Sequence, residues 1–517
     1  MSANDEMSLS RRRFLHLVGV IGGSTAAYQA ALGLGALPTV ALAQPPDIAP
    51  LPKGIRKSVL ILGACIAGLV SAYELTRRGY DVQVLEASER VGGRVWTVRG
   101  GDVIDEVGHR QVCNFDREPH LYFNAGASRI PGEHLALLGY WRELNVELEP
   151  FVNLNRDAWV QDDALFGGKR LRNREYVNET RSFVAELGTK SIKPEMLDEQ
   201  LTAADYKAVL EYLRQFGRLD INLKAARSKR TTSAGFAGPD AMKQLFNSRI
   251  LSGMAYGESE DQQPVMLVPV GGMDKIVDAF MKKIGKYVQI GARVETLNLT
   301  EKGVRVVYRR KGREQESLAD FCINSIPMQL LAGIDHNFPN EYAAGLTAVP
   351  RGKYFKLAFQ AKERFWEREG IYGGISWTMQ DISQMWYPSN GIHKQKGVIL
   401  GAYTFAGAAG DKFAALSPDQ RAALAKQQGE KLHPGYSNFV EHGVSVAWHR
   451  INHMLGCAAA WNESLRAQWF DRLQSPAGHH YLVGDQMSHL PSWQEGAVQS
   501  AFHAIADIDQ RVREANT

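Results

Sequence analysis

The chain has 517 residues, 44% hydrophobic and 22% charged, with 60 basic against 56 acidic side chains. That length exceeds one ordinary core, so two or three domains are expected, and the composition excludes a disordered chain. The formal net charge of +4 gives no argument for a nucleic-acid partner, and neither the four cysteines nor the 14 histidines have metal-ligand spacing, so no metal is expected.

Residues 1–43 read as an export leader. Ser10-Arg-Arg-Arg-Phe-Leu-His16 matches the twin-arginine pattern, a moderately apolar stretch follows, and Ala41-Leu-Ala43 suits cleavage. Glycine, serine, glutamine and proline interrupt the apolar stretch, which argues against a stable membrane anchor. The expected location is the periplasm or the exterior.

Residues 58–94 hold an apolar run, a glycine turn, a helical pattern and a second apolar run ending in Glu86, the parts of a dinucleotide-binding βαβ unit. Gly63 permits the tight turn, a helix beginning near Ala67 points free N–H groups and its positive dipole end at a pyrophosphate, and Gly68 lets helix and strand lie close. Glu86 is placed to accept hydrogen bonds from the adenosine ribose. One position departs from the fingerprint. Cys65 stands where the second glycine belongs, and a thiol there is expected to crowd the phosphates, so that glycine at 65 should tighten cofactor retention.

Further along, residues 133–150 carry Leu135, Leu138 and Trp141 at helical spacing. Residues 173–259 read as helices rich in charge. A strand is predicted at 264–270, then a helix opening at 271–276 with Val277, Phe280 and Met281 inward. Alternating runs at 292–297 and 303–308 and the apolar 320–324 read as strands, 354–402 is strand-rich, and 481–486 leads into a helix start at 495–502. The expectation is an α/β fold: a discontinuous Rossmann-like domain (55–118, 262–345, 475–517), a mixed-sheet substrate domain (119–168, 350–474) and an inserted helical subdomain (169–261).

Val84-Leu-Glu-Ala-Ser-Glu-Arg-Val-Gly-Gly-Arg-Val-Trp-Thr97, Val270-Gly-Gly-Met-Asp-Lys275, Arg364-Phe-Trp-Glu367 and Gly484-Asp-Gln-Met-Ser-His-Leu-Pro-Ser-Trp-Gln-Glu-Gly-Ala497 together resemble the flavin-containing amine oxidase superfamily, and within it the L-amino-acid oxidases. The resemblance spans nearly all of the chain after residue 55 and implies FAD. By it, Glu86 and Ala87 lie at the ribose, Gly63, Ala67 and Gly68 at the pyrophosphate, Gly93, Arg94 and Ser128 at a phosphate or the flavin edge, and Val294 on the adenine side. Asp485 and the backbone of Glu495, Gly496 and Ala497 reach the ribityl chain and flavin.

Arg129 resembles the family arginine that pairs with a substrate α-carboxylate, a bidentate clamp that simple amines do not need. Tyr387 resembles the tyrosine that assists it, with the adjacent Trp386 the alternative alignment. Lys356 matches the lysine that holds a water at flavin N5, and Trp448 and Trp493 resemble the walls confining the amine. Cys457 lies where monoamine oxidases attach flavin covalently; L-amino-acid oxidases hold FAD without a bond, and a free thiol is the expectation here.

The resemblance implies oxidative deamination of an L-amino acid, with hydride passing from Cα to flavin N5 and products 2-oxo acid, ammonia and hydrogen peroxide, in a homodimer. His109 and His489 are candidate proton shuttles without a supporting spacing. The alternatives on the same residues are a primary-amine or polyamine oxidase, an amino-acid 2-monooxygenase, and a flavoprotein that binds without turnover.

Overall fold

The computed structural model describes residues 45–516 apart from 47, 193–201, 225–240, 249, 251–256, 258, 260–261, 263–264 and 406; the leader and its cleavage site lie outside the described residues. A five-stranded parallel sheet forms the centre of the nucleotide unit. Its strands are β1 (Ser58–Leu62), β2 (Asp81–Leu85), β3 (Val288–Gln289), β4 (Phe321–Asn324) and β5 (His480–Leu482), in the spatial order β3-β2-β1-β4-β5. Val59 to Leu62 are buried on both faces, which is why this run lacks polar alternation. The sheet draws on three separated parts of the chain, as expected.

Helix α1 (Ile66–Arg77) is buried from Ile66 to Leu75, because α2 (Lys275–Ile284) and α3 (Gln494–Glu514) pack on it. In α2 the residues Ile276, Val277, Phe280 and Ile284 face inward, and Met281 is half-buried against the same core. Gly271 and Gly272 turn with φ +85° and +117°, so the helix starts at Lys275 rather than at the glycines.

The second large sheet has seven strands, in the order 171–172, 159–161, 374–378, 384–387, 397–404, 355–361 and 440–447. Every neighbouring pair is antiparallel except 159–161 with 374–378. Strand Phe355–Ala361 is buried at every position. Helices Asn173–Ser191, Ala203–Gly217 and Ala241–Asn247 occupy the charged stretch read as helical; the rest of 193–261 lies largely outside the described residues.

The 133–150 reading needs correction. The helix spans only Leu135–Glu143, Asn145 turns with φ +54°, and Leu148–Phe151 pairs as a strand with Met266–Pro269. Its inward face is Ala136, Leu137, Tyr140 and Trp141, while Leu135 is 57% exposed. The apolar positions supported two stripes, and the core selected the one displaced by a residue.

A fully buried ion pair ties the Val103–Glu106 strand to the second sheet. Arg421 Nη1 donates to Glu106 Oε2 at 2.8 Å and to Ser445 Oγ at 3.0 Å, while Ala447 N donates to Glu106 Oε1 at 2.7 Å. Removing one partner strands a charge without solvent. Arg421→Met is therefore expected to lower unfolding free energy by about 3–5 kcal/mol, with Arg421→Met/Glu106→Gln recovering part of it, as measured by denaturant unfolding.

Candidate active site

The turn after β1 forms the first wall. Gly63 has φ +94°, and a Cβ there would stand 2.4 Å from Ser325 Oγ; at Gly68 a Cβ would meet Gly63 O at 2.0 Å. These two positions need glycine on space alone. Cys65 does not: it caps α1 with φ −82° and ψ −178°, extended backbone open to any residue, and its side chain lines the cavity next to Gly93. Crowding by the thiol is thus confined to its own volume. The first turn of α1 carries no acid and no side-chain cap, leaving its N–H groups to an anion.

Glu86 is buried at the end of β2 and braces this turn. It accepts Ala64 N at 2.8 Å on Oε2, and Ser88 N at 2.9 Å and Ser88 Oγ at 2.7 Å on Oε1, so Oε2 keeps a lone pair for a ribose hydroxyl. Ala87 follows it, and Val294, buried on the neighbouring strand Ala292–Thr300, packs in the core beside Leu85.

From Cys65 and Gly92 a cavity of about 440 Å³ runs past Arg94 and Asp485 to Lys356 and Arg129. Arg94 and Asp485 form a two-pronged pair, with Nη1 to Oδ2 at 3.0 Å and a second bond from Nη2 to Oδ1; Ser492 N also donates to Asp485. Burial pushes the Asp485 carboxyl up, but Arg94 and the backbone donor bring it below its ordinary value. Arg351, which sequence reasoning missed, is a second half-buried cation here; its Nη2 donates to the Gly456 and Cys457 carbonyls, and desolvation with Arg94 nearby lowers it to about 10.

Gly496 and Ala497 open α3 beside the cavity. A Cβ at Gly496 would stand 2.2 Å from Ser488 Oγ, and Ala497 lines the wall. The Glu495 carboxylate turns away and caps helix Leu135–Glu143, accepting Leu137 N at 2.8 Å. Cys457 faces the cavity, its thiol pushed up by burial.

At the other end Arg129 is 7% exposed, its guanidinium lying 4.7 Å from the Trp386 ring and 5.3 Å from the Trp493 ring, with Nη2 donating to Gln262 Oε1 at 2.6 Å. Trp493 packs edge-on against His134, which burial and then Arg129 hold neutral at about 3. Trp448 is fixed by its indole N–H to Ala125 O at 2.9 Å and by an edge contact with Trp96. Tyr354, Tyr403 and Phe405 complete an aromatic wall that the sequence left unresolved among strand residues.

Lys356 points inward. Nζ donates to Gly126 O at 2.6 Å, Ser128 Oγ at 2.5 Å and Asn124 O at 3.2 Å, and lies 4.6 Å from the Tyr403 ring. Burial pulls the ammonium down to about 7, with Arg129 adding to the fall.

Tyr387 is a correction. Its hydroxyl bonds Ser376 Oγ and His433 Nε2, both at 2.6 Å, in a chain ending at Glu369, and it does not line the cavity; alternation along Gln384–Tyr387 presents Trp386 to Arg129 instead. His109 and His489 also lie off the cavity, His489 against Phe470.

A glycine cradle at a helix N-terminus, an acid at the next strand end and two half-buried arginines fit an anionic dinucleotide, and the aromatic chamber beyond fits a small organic substrate. Residues 66–508 match the model of the flavin containing amine oxidoreductase family, and the chain belongs to that family. It is 28% identical to the flavin-dependent L-tryptophan oxidase RebO of Lentzea aerocolonigenes, across 88% of this chain and 98% of that one. With the L-amino-acid oxidase of Demansia vestigiata it shares 25%, over 88% and 87%. Among solved structures, putrescine oxidase superposes with a TM-score of 0.60 at 19% identity, over 88% and 99%; cyclohexylamine oxidase from Brevibacterium oxydans does so with 0.59 at 16%, over the same shares. These two likenesses are of fold.

Trp386→Ala is expected to lower kcat/KM by about tenfold or more through loss of the stack on Arg129. Tyr387→Phe should leave kcat/KM within about twofold and cost about 1–2 kcal/mol of stability; steady-state kinetics beside thermal unfolding separates the two.

Proposed function

We propose that the chain oxidatively deaminates an L-amino acid to a 2-oxo acid, with ammonia and hydrogen peroxide as the other products. The observation that carries this reading is Arg129: a buried guanidinium stacked between Trp386 and Trp493 at the wall of the aromatic chamber. A planar cation so placed offers two parallel N–H donors to a carboxylate, and the stacked indoles limit its rotation. The relatives named for L-tryptophan and L-amino acids agree with a carboxylate-bearing substrate.

FAD, held by the Gly63–Gly68 turn, Glu86 and the Arg94 region, supplies the two-electron acceptor when bound. The protein's own residues bind and orient. Arg129 fixes the carboxylate, while Trp448, Trp493 and Tyr403 confine the amine and exclude water. Lys356 Nζ, titrating near neutrality, takes up or returns a proton at the chamber wall. Export by the twin-arginine leader belongs to the same proposal, and the mass of the mature N-terminus tests it.

Arg129→Ala is expected to cost about 3–4 kcal/mol of transition-state binding, a loss of roughly a hundred- to thousandfold in kcat/KM for amino acids. A peroxide assay across the twenty amino acids, with 2-oxo acid quantified, checks it; aldehyde from amines without carboxylate, or turnover unchanged by the substitution, would sink the reading. The pH profile is a second measure. Below about 7 Lys356 is an ammonium and above it an amine, so kcat/KM should rise through an inflection near pH 7 that Lys356→Met removes.

A further inference from the structure

Behind the Lys356 wall lies a second, smaller cleft of about 80 Å³, which opens between the half-buried Tyr122, Ser389 and Asn390 and reaches inward to Trp386 and Ser128. Ser128 is the one described residue that lines both this cleft and the main cavity. Lys356 Nζ has three hydrogen-bond partners. Two are the carbonyls of Asn124 and Gly126, which accept but cannot pass a proton on; the third is the Ser128 hydroxyl, which can do both.

We propose that Ser128 is a proton relay for Lys356, joining it through the small cleft to bulk water. The inference rests on the reading of Lys356 as a group that gains and loses a proton during turnover. Trp448 and Trp493 wall the main chamber where substrate sits, and the cleft gives Ser128 a second side, away from the substrate, on which to meet water. One proton passes from Nζ to Ser128 Oγ as the hydroxyl proton passes to water in the cleft; no electron moves and the serine ends as it began. The other charged or titratable groups facing Nζ are Arg129 on the same 124–129 segment, Tyr403 on the neighbouring strand and Cys457 across the cavity. The Arg129 guanidinium is a donor with no acceptor site, Tyr403 presents its ring face to Nζ, and burial pushes the Cys457 thiol up, so none of them replaces the hydroxyl. Ser128 thereby acts as a positioning residue through Lys356, beyond any contact with cofactor.

The test uses the holoenzyme in anaerobic and aerated stopped flow between pH 6 and 9, in H₂O and in mixtures with D₂O. In the wild type the proton-linked step should give a curved proton inventory, because two protons move together. Ser128→Ala should slow that step by roughly ten- to a hundredfold and leave a linear inventory. Ser128→Thr, which keeps the hydroxyl, should restore the rate and the curvature. Val398→Phe narrows the cleft, which Val398 lines without lining the main cavity, and should reproduce the alanine signature with flavin content unchanged. A wild-type inventory that is linear, or one that is the same in wild type, Ser128→Ala and Val398→Phe, overturns the relay. So does an equal rate loss in the alanine and threonine variants, which would assign Ser128 to packing. A wild-type protein that forms no 2-oxo acid refutes the amino-acid reading instead, and the proton inventory on the amine it does oxidise still decides the relay.

Discussion

Arg94 is the joint on which the site depends. Its side chain holds the buried Asp485, 391 positions away in sequence, in a two-pronged pair. Its backbone holds the segment that carries Ser128 and Arg129: Ala127 N donates to Arg94 O, and a Cβ at Gly126 would lie 1.7 Å from that same oxygen. Breaking the pair would leave the Asp485 carboxylate beside the cavity with only the weaker pull of Arg351 and the Ser492 N–H to offset its desolvation. Such pairs add little net stability, but they admit few alternative arrangements. The distance between the nucleotide cradle and the Arg129 segment is fixed by one residue's two ends.

The chamber beyond that joint sets cations against π faces: Arg129 lies between two indoles and Lys356 against Tyr403. Lys356 feels two opposing influences. Burial and Arg129 favour the amine, whereas three surrounding oxygens offer acceptors that match an ammonium. The balance near neutrality is what a proton-exchanging group requires.

Much of this was legible in sequence because it depends on local backbone chemistry. The Gly63–Gly68 turn, Glu86 at a strand end and Gly496 at a helix start are each set by neighbours within a few residues or by one close backbone approach. Arg129 and Lys356 were found by resemblance. What stayed hidden depends on which face a strand turns inward. Tyr387 and Trp386 are adjacent, and only the sheet's pleat decides that the indole meets Arg129 while the phenol joins His433 and Glu369. Leu135 shows the same difficulty on a helix. Cys65 read as an obstacle through the volume of its thiol; what the fingerprint could not show is that its backbone, with φ at −82°, carries no strain. Arg351, Tyr354 and Tyr403 had no local signal, since they enter the site through the packing of strands far apart in sequence.

The order of the parallel sheet has a consequence for synthesis. β1 pairs with β4, and β4 in turn with β5, whose residues 480–482 emerge last together with Asp485 and the start of α3. At about 5–20 residues per second, β1 and its glycine turn wait some tens of seconds on the ribosome for the edge that completes their sheet. The half-made nucleotide unit cannot close its binding surface in that interval. Cofactor capture is thereby a late event in the life of the chain, and a nascent protein cut short before residue 480 would carry the fingerprint without the means to keep its ligand.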